Sequence, residues 1–151
     1  LQRATAVVIT NPDKTLEYYQ AKLQKMHFEG PVFLLKCELQ LLDDKYRIVK
    51  HSPHKLFACS GIAFPENFFN SLKQQGYNVV GTKSFPDHHQ FSVNDMENLS
   101  IQIKEAGLEG IVITEKDFSR WPGIKGLTTY VARQKLSCED SDKLLELLVH
   151  I

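Results

Sequence analysis

Three short stretches of this chain carry side chains able to do chemistry. Asp87-His88-His89 lies between a β-like run and a helix start, Glu115-Lys116-Asp117 follows an apolar β-branched run, and Gly61 follows another. Histidine changes charge near neutral pH, so an imidazole beside a carboxylate suits general acid–base work. A metal site is the second chemistry open to residues 87–89. Adjacent ligands hold one ion less well than a helical i, i+4 pair, and no further His/Cys cluster accompanies them, so acid–base chemistry ranks higher. The plain alternative is a turn in which Asp87 caps a backbone amide while the histidines pack or face solvent. At 115–117 the plain reading is a helix N-terminus whose acids complement the macrodipole. The functional reading puts Lys116 near an anionic group and has Glu115 and Asp117 order the edge by hydrogen bonds. Gly61 reads as a turn glycine, because neither G-x-x-x-x-G-K-[ST] nor G-x-G-x-x-G occurs anywhere. His27, His51, His54 and His150 show no partner pattern.

The elements that must position these stretches follow from periodicity. Residues 4–10 form an apolar, β-branched run expected to be a strand covered on both faces. Asn11-Pro12 then supplies a cap and a first-turn proline for a helix whose face is Leu16, Tyr19, Leu23 and Met26. Residues 31–42 and 46–50 flank the turn-like Asp43-Asp44-Lys45 and predict a hairpin or ribbon. A lobe boundary is expected at 51–54.

From Lys55 the pattern becomes regular. Residues 56–60 predict a buried strand, and Pro65 opens a helix that buries Phe68, Phe69 and Leu72 and ends at Gly76. Residues 77–80 predict the next strand. Ser92 and Asp95 form a capping-box variant for a helix burying Met96, Leu99, Ile103 and Ala106, closed by Gly107. Residues 110–114 are a third strand. After the turn at Trp121-Pro122-Gly123, residues 127–133 suggest a fourth, with a place as the ribbon's return strand. Ser137 is expected to cap a last helix facing inward through Leu144, Leu145 and Leu148.

Strand and helix alternation with connections this long implies parallel pairing through right-handed crossovers. In open α/β sheets ligands gather beyond the carboxyl ends of the strands. Gly61, Asp87-His88-His89 and Glu115-Lys116-Asp117 each follow a strand, so the three turns are expected along one edge.

A chain of 151 residues has room for one domain with a real core, or for two small lobes. Its 18 basic and 18 acidic residues balance, so no basic footprint argues for nucleic acid. Cys37, Cys59 and Cys138 are odd in number and lack C-x-x-C spacing, which points to reduced thiols, with Cys59 a core residue. No apolar run reaches the length of a membrane span. Beginning at Leu1 just before a buried strand is how a chain begins when cut from a longer one.

Taken together, residues 58–69, with Gly61-Ile62-Ala63-Phe64-Pro65 at their centre, then Phe85-Pro86-Asp87-His88-His89, then Thr114-Glu115-Lys116-Asp117, resemble the C-terminal half of tetraacyldisaccharide 4'-kinases. The three signatures occur in that family in this order and at about this spacing. The likeness extends to Ala6-Val7-Val8-Ile9-Thr10, similar to the end of the kinase lobe, and to residues 31–50, similar to the ribbon between lobes. It implies an α/β fold: a small parallel, three-layer, Rossmann-like sheet with a β-ribbon leading to a P-loop kinase lobe that is missing or partial here. The implied division is a kinase-lobe remnant at 1–30, the ribbon at 31–54 and the C-terminal α/β domain at 55–151.

The resemblance implies phosphoryl transfer from Mg-ATP to the 4'-hydroxyl of an acylated glucosamine disaccharide phosphate, at the cytoplasmic face of the inner membrane. His88, with Asp87, would be catalytic, the imidazole partnering a base aspartate of the other lobe. Gly61, His89, Glu115, Lys116 and Asp117 would line the cleft. ATP and Mg²⁺ belong to the full-length parent, and none is expected in this fragment. The implied partners are the disaccharide phosphate, the P-loop lobe and the membrane surface, with no nucleic acid. Neither a Walker A loop nor the base aspartate lies in these 151 residues, and Phe64 stands where the family usually has asparagine. The fragment alone is therefore expected to be inactive. Two other readings compete: an Asp-His-His phosphoesterase, which needs further aspartates for a two-metal cluster where residues 1–50 offer only Asp13, Asp43 and Asp44, and a non-catalytic interaction module using the same strand edge.

Overall fold

The computed structural model describes residues 3–50, 55–108 and 110–149. The lobe boundary expected at 51–54, with His51 and His54, and also His150, lie outside the described residues. The chain divides into two compact units, Leu1–Glu38 with Lys135–Ile151, and Leu39–Gln134.

In the first unit, β1 (Val7–Thr10) pairs parallel with β2 (Val32–Leu42), from Val7 opposite Val32 to Thr10 opposite Leu35. Helix α1 (Leu16–Gln24) lies between them, but its cap is not Asn11. Thr15 is the cap residue, its hydroxyl accepting from the Tyr18 amide, because Asn11 sits in the left-handed region (φ 48°) and its Oδ1 accepts from the Cys37 amide at 2.9 Å. Asparagine tolerates that conformation, and here its side chain splices the strand end to β2 instead of starting a helix.

The second unit holds the strands that position the site. β3 (Leu56–Ser60) is flanked by parallel partners, β4 (Val79–Ser84) and β5 (Gly110–Thr114), and β5 pairs parallel with β6 (Thr128–Cys138). The order within this unit is β6-β5-β3-β4. Every residue of β3 is buried, as expected for a strand covered on both faces. Its alternation sorts the core. Leu56 and Ala58, with Val112 and Ala132, pack on Phe68, Phe69 and Leu72 of α2 (Pro65–Gln74). Phe57 and Cys59, with Ile111 and Ile113, pack on Met96, Leu99 and Ile103 of α3 (Val93–Glu105). Helix, sheet, helix is the three-layer α/β arrangement anticipated from the sequence.

Local signals hold at several ends and fail at others. Ser92 and Asp95 make a reciprocal capping box, and Gly76 and Gly107 take positive φ where α2 and α3 stop. The expected strand at 77–80 instead begins at Val79 and runs on to Ser84, so part of the presumed loop is strand. Among the described residues, 46–50 form no second strand: after the turn the pairing is one isolated antiparallel bridge, Leu42 to Ile48. Asp43 Oδ1 accepts from the Lys45 and Arg47 amides and Tyr46 adopts φ 60°, which folds the segment into a tight cap. Ser137 lies within β6, and the last helix, α5, spans Ser141–Val149 with Leu145 and Leu148 exposed rather than facing inward.

Candidate functional site

Gly61 is the point at which the three turns meet. A methyl group there would lie 3.3 Å from Asp117 Oδ1, 3.3 Å from the Pro86 carbonyl oxygen and 3.4 Å from His89 Cβ, one neighbour from each of the other two turns and a second from the histidine loop. The backbone ties the turns as well. The His88 amide donates to the Gly61 carbonyl at 3.1 Å, and the Phe85 amide donates to Ser60 O at 2.8 Å. Parallel strands β4, β3 and β5 end together, so their following turns share an edge.

Within this edge the candidate residues occupy different depths. His88 is outermost: its side chain is 86% exposed, and its backbone sits at φ 58°. That left-handed conformation is uncommon for a residue with a Cβ and persists only where neighbours hold it. Here the holders are the Gly61 carbonyl and Asp87 Oδ1, both accepting from the His88 amide. Asp87 Oδ2 also stands 3.7 Å from His88 Nε2, so the Asp87 carboxylate contacts both the amide and the ring of its neighbour.

His89 is held by three neighbours. Its ring stacks on Phe85 with centroids 4.6 Å apart, meets Phe91 edge-on, and its Nε2 is 3.0 Å from Asp95 Oδ2. Two apolar neighbours and one carboxylate leave it as the pin that fastens the loop to the start of α3. The Asp95 carboxyl is held down to about 2, first by the Ser92 hydroxyl, then by the Ser92 amide and His89.

Asp117 lies beneath the edge rather than on it. It belongs to the single turn α4 (Glu115–Phe118), capped by Thr114, and is fully buried. Its Oδ2 accepts from Ser60 Oγ at 3.1 Å, the Gly61 amide at 3.1 Å and Thr114 Oγ1 at 2.7 Å, while Oδ1 accepts from Arg120 Nη2 at 2.6 Å. A buried charge is tolerable when paired and multiply bonded, and that requirement draws Asp117 inward. Glu115 is occupied too: Arg133 of β6 donates to its Oε1 from Nε at 2.8 Å and Nη2 at 2.6 Å, and the guanidinium lies over the Tyr46 ring. Lys116 is exposed and has no ion-pair partner among the described residues. It lines a cavity of about 400 Å³ with Ile62, Phe64, Asn67, Phe68 and Thr114. Phe64 is 73% exposed at this cavity, an apolar side chain where a polar one would have been unremarkable.

Arg120 and Arg133 were not singled out by the sequence. Arg120 stands three residues after Asp117, a helical i, i+3 spacing that is a weak signal for a pair. Arg133 interrupts an apolar strand, where a charge is worth a question. Among the described residues, no group of three or more His, Cys, Asp or Glu side chains could hold a metal ion.

The arrangement can be compared with known proteins. The family model described as tetraacyldisaccharide-1-P 4'-kinase matches residues 1–151. A tetraacyldisaccharide 4'-kinase of Desulfotalea psychrophila is 33% identical over 96% of this chain and 44% of its own length. One from Bradyrhizobium diazoefficiens is 30% identical over 98% of this chain and 42% of its own. This chain thus spans less than half the length of these relatives. In structure it is similar to LpxK of Aquifex aeolicus, solved in complex with ATP, with a TM-score of 0.59 and 23% identity over 99% of this chain and 43% of the other, a likeness of fold. With one family matched from end to end and its relatives aligned across nearly all of the sequence, the chain belongs to the tetraacyldisaccharide-1-P 4'-kinase family.

Proposed function

We propose that this chain forms the C-terminal part of a kinase that moves the γ-phosphate of ATP to the 4'-hydroxyl of tetraacyldisaccharide 1-phosphate. Membership of the family supports the reaction class, and one observation supports the role of this part: three strand-end turns are locked together so that a single imidazole, His88, is held outward on a constrained backbone. In the proposal that imidazole faces a cleft completed by the P-loop lobe and partners the base aspartate there. The reaction needs mainly positioning and charge stabilisation, which suits a fixed edge brought up against a second lobe. Lys116, solvent-facing at the cavity, is the cation placed to meet an anionic group.

No glycine-rich P-loop occurs in this chain, and in the proposal the phosphate-binding residues for ATP and Mg²⁺ belong to the other lobe. No helix among the described residues is long and apolar enough to cross a membrane. The proposed place of action is the cytoplasmic face of the inner membrane, with contact through the intact kinase.

The test is phosphate transfer from labelled ATP to tetraacyldisaccharide 1-phosphate. The intact kinase is expected to form the 4'-phosphate, and the 151-residue chain alone none. Transfer by the chain alone, or manganese-dependent phosphodiester cleavage, would overturn the proposal.

A further inference from the structure

Two bonds converge on one nitrogen of Arg120. Its Nη2 donates to Asp117 Oδ1 at 2.6 Å and to the Gly61 carbonyl at 2.7 Å, and that carbonyl also accepts the His88 amide at 3.1 Å. Asp117 in turn accepts the Gly61 amide at 3.1 Å. The two peptide groups that flank Gly61 are therefore gripped in turn, the N–H by the carboxylate and the C=O by the guanidinium, and the same oxygen anchors His88. The Arg120 side chain is 16% exposed, and its Nε is buried without a hydrogen-bond partner. The fork geometry that usually selects arginine is thus unused here. A guanidinium is present, but a single donor nitrogen is what the site employs.

We propose that Arg120 is a positioning residue for His88. Through the Gly61 carbonyl it fixes the oxygen to which the His88 amide is bonded, and with it the left-handed backbone that points the imidazole outward. A carbonyl held by a charged donor cannot rotate to follow a moving loop, so the strained φ of 58° at His88 is maintained. The inference rests on the proposed kinase role only for what the imidazole does once it is held. The grip itself is a property of this chain.

The experiment compares Arg120→Met with Arg120→Lys in the intact kinase and reads two quantities, turnover and hydrogen exchange at the His88 amide. Arg120→Met removes the donor, and kcat is expected to fall by about tenfold or more with KM for ATP and lipid within about twofold, since misplacement of an acid–base group acts on the chemical step. The His88 amide is expected to exchange about tenfold faster at temperatures well below unfolding. Arg120→Lys offers one ammonium able to donate to both acceptors, so it is expected to restore most of the turnover and the slow exchange. Should Arg120→Met fail to fold for want of a counter-charge to Asp117, the neutral pair Asp117→Asn with Arg120→Met takes its place. There the amide can face Ser60, Gly61 and Thr114 with its oxygen, and faster exchange at His88 is still expected. Unchanged His88 exchange in the folded variant, or an Arg120→Lys variant as impaired as Arg120→Met, overturns the proposal. Exchange decides the grip even if no kinase activity is found, so that result is separable from failure of the kinase reading.

Discussion

Replacing Asp117 by asparagine changes the side chain by one group and leaves no arrangement of that group satisfied. Asp117 Oδ2 faces three donors, from Ser60, Gly61 and Thr114, and Oδ1 faces a fourth, from Arg120. An amide has one oxygen. If it is turned toward the three donors, the NH₂ confronts the Arg120 guanidinium; if it is turned toward Arg120, the two hydroxyls can rotate to accept but the NH₂ confronts the Gly61 amide, which can only donate. Either way buried donors meet donors, and Arg120 loses its counter-charge in a largely buried site. Breaking a buried pair from one side costs about 3–5 kcal/mol, a sizeable part of the roughly 5–15 kcal/mol that holds a domain together. At about 2–4 °C per kcal/mol for a chain of this size, the melting temperature should fall by roughly 6–20 °C. Scanning calorimetry of Asp117→Asn beside the parent chain measures this, with Asp140→Asn, which breaks an exposed pair with Lys143, as the surface comparison. A loss under about 1 kcal/mol at Asp117 would refute the claim that this carboxylate ties the Gly61 turn to the turn at 115–117.

Other outcomes follow from the same geometry. Gly61→Ala gains about 0.4–1 kcal/mol from a stiffer unfolded chain, but its methyl meets three anchored neighbours, and overpacking of about 1–3 kcal/mol should leave it net destabilised in urea titration; a stabilised variant would contradict the close approach. Because Asp95 has a depressed folded-state pKa, its contribution is fully present above the ordinary 3.8 and is lost as pH falls from there to about 2. The stability gap between the parent and Asp95→Asn should therefore close across that window, and a gap that persists at its acid end would contradict the bonding seen at Ser92 and His89. Burial pushes the Cys59 thiol well above its usual range, so alkylation of the native chain at neutral pH should label Cys37 and Cys138 and spare Cys59, as read by peptide mass mapping.

What could be read in the sequence was local or periodic. The face of α2, the capping box at Ser92 and the glycines that end α2 and α3 are each determined by residues a few positions apart, and all are found as read. The meeting of the three turns was also legible, because parallel topology converts strand order into a shared edge. What could not be read depends on distant partners. Arg120 acquires its role from Gly61, 59 positions away, and Glu115 is taken by Arg133, 18 positions away. Asn11 offered a helix cap but was claimed by the Cys37 amide, a long-range bond that overrides a local preference. His89 looked like a twin of His88, yet a stacked Phe85 and the Asp95 carboxylate separate them into a pin and an outward imidazole.

In the proposed reaction His88 acts in the cleft from its held, outward pose. Steady-state kinetics of the intact kinase bearing His88→Gln test it most directly, since glutamine keeps the backbone and a polar side chain while removing the titrating ring. A fall in kcat of about 10²-fold or more is the predicted result, and turnover equal to that of the parent would contradict it.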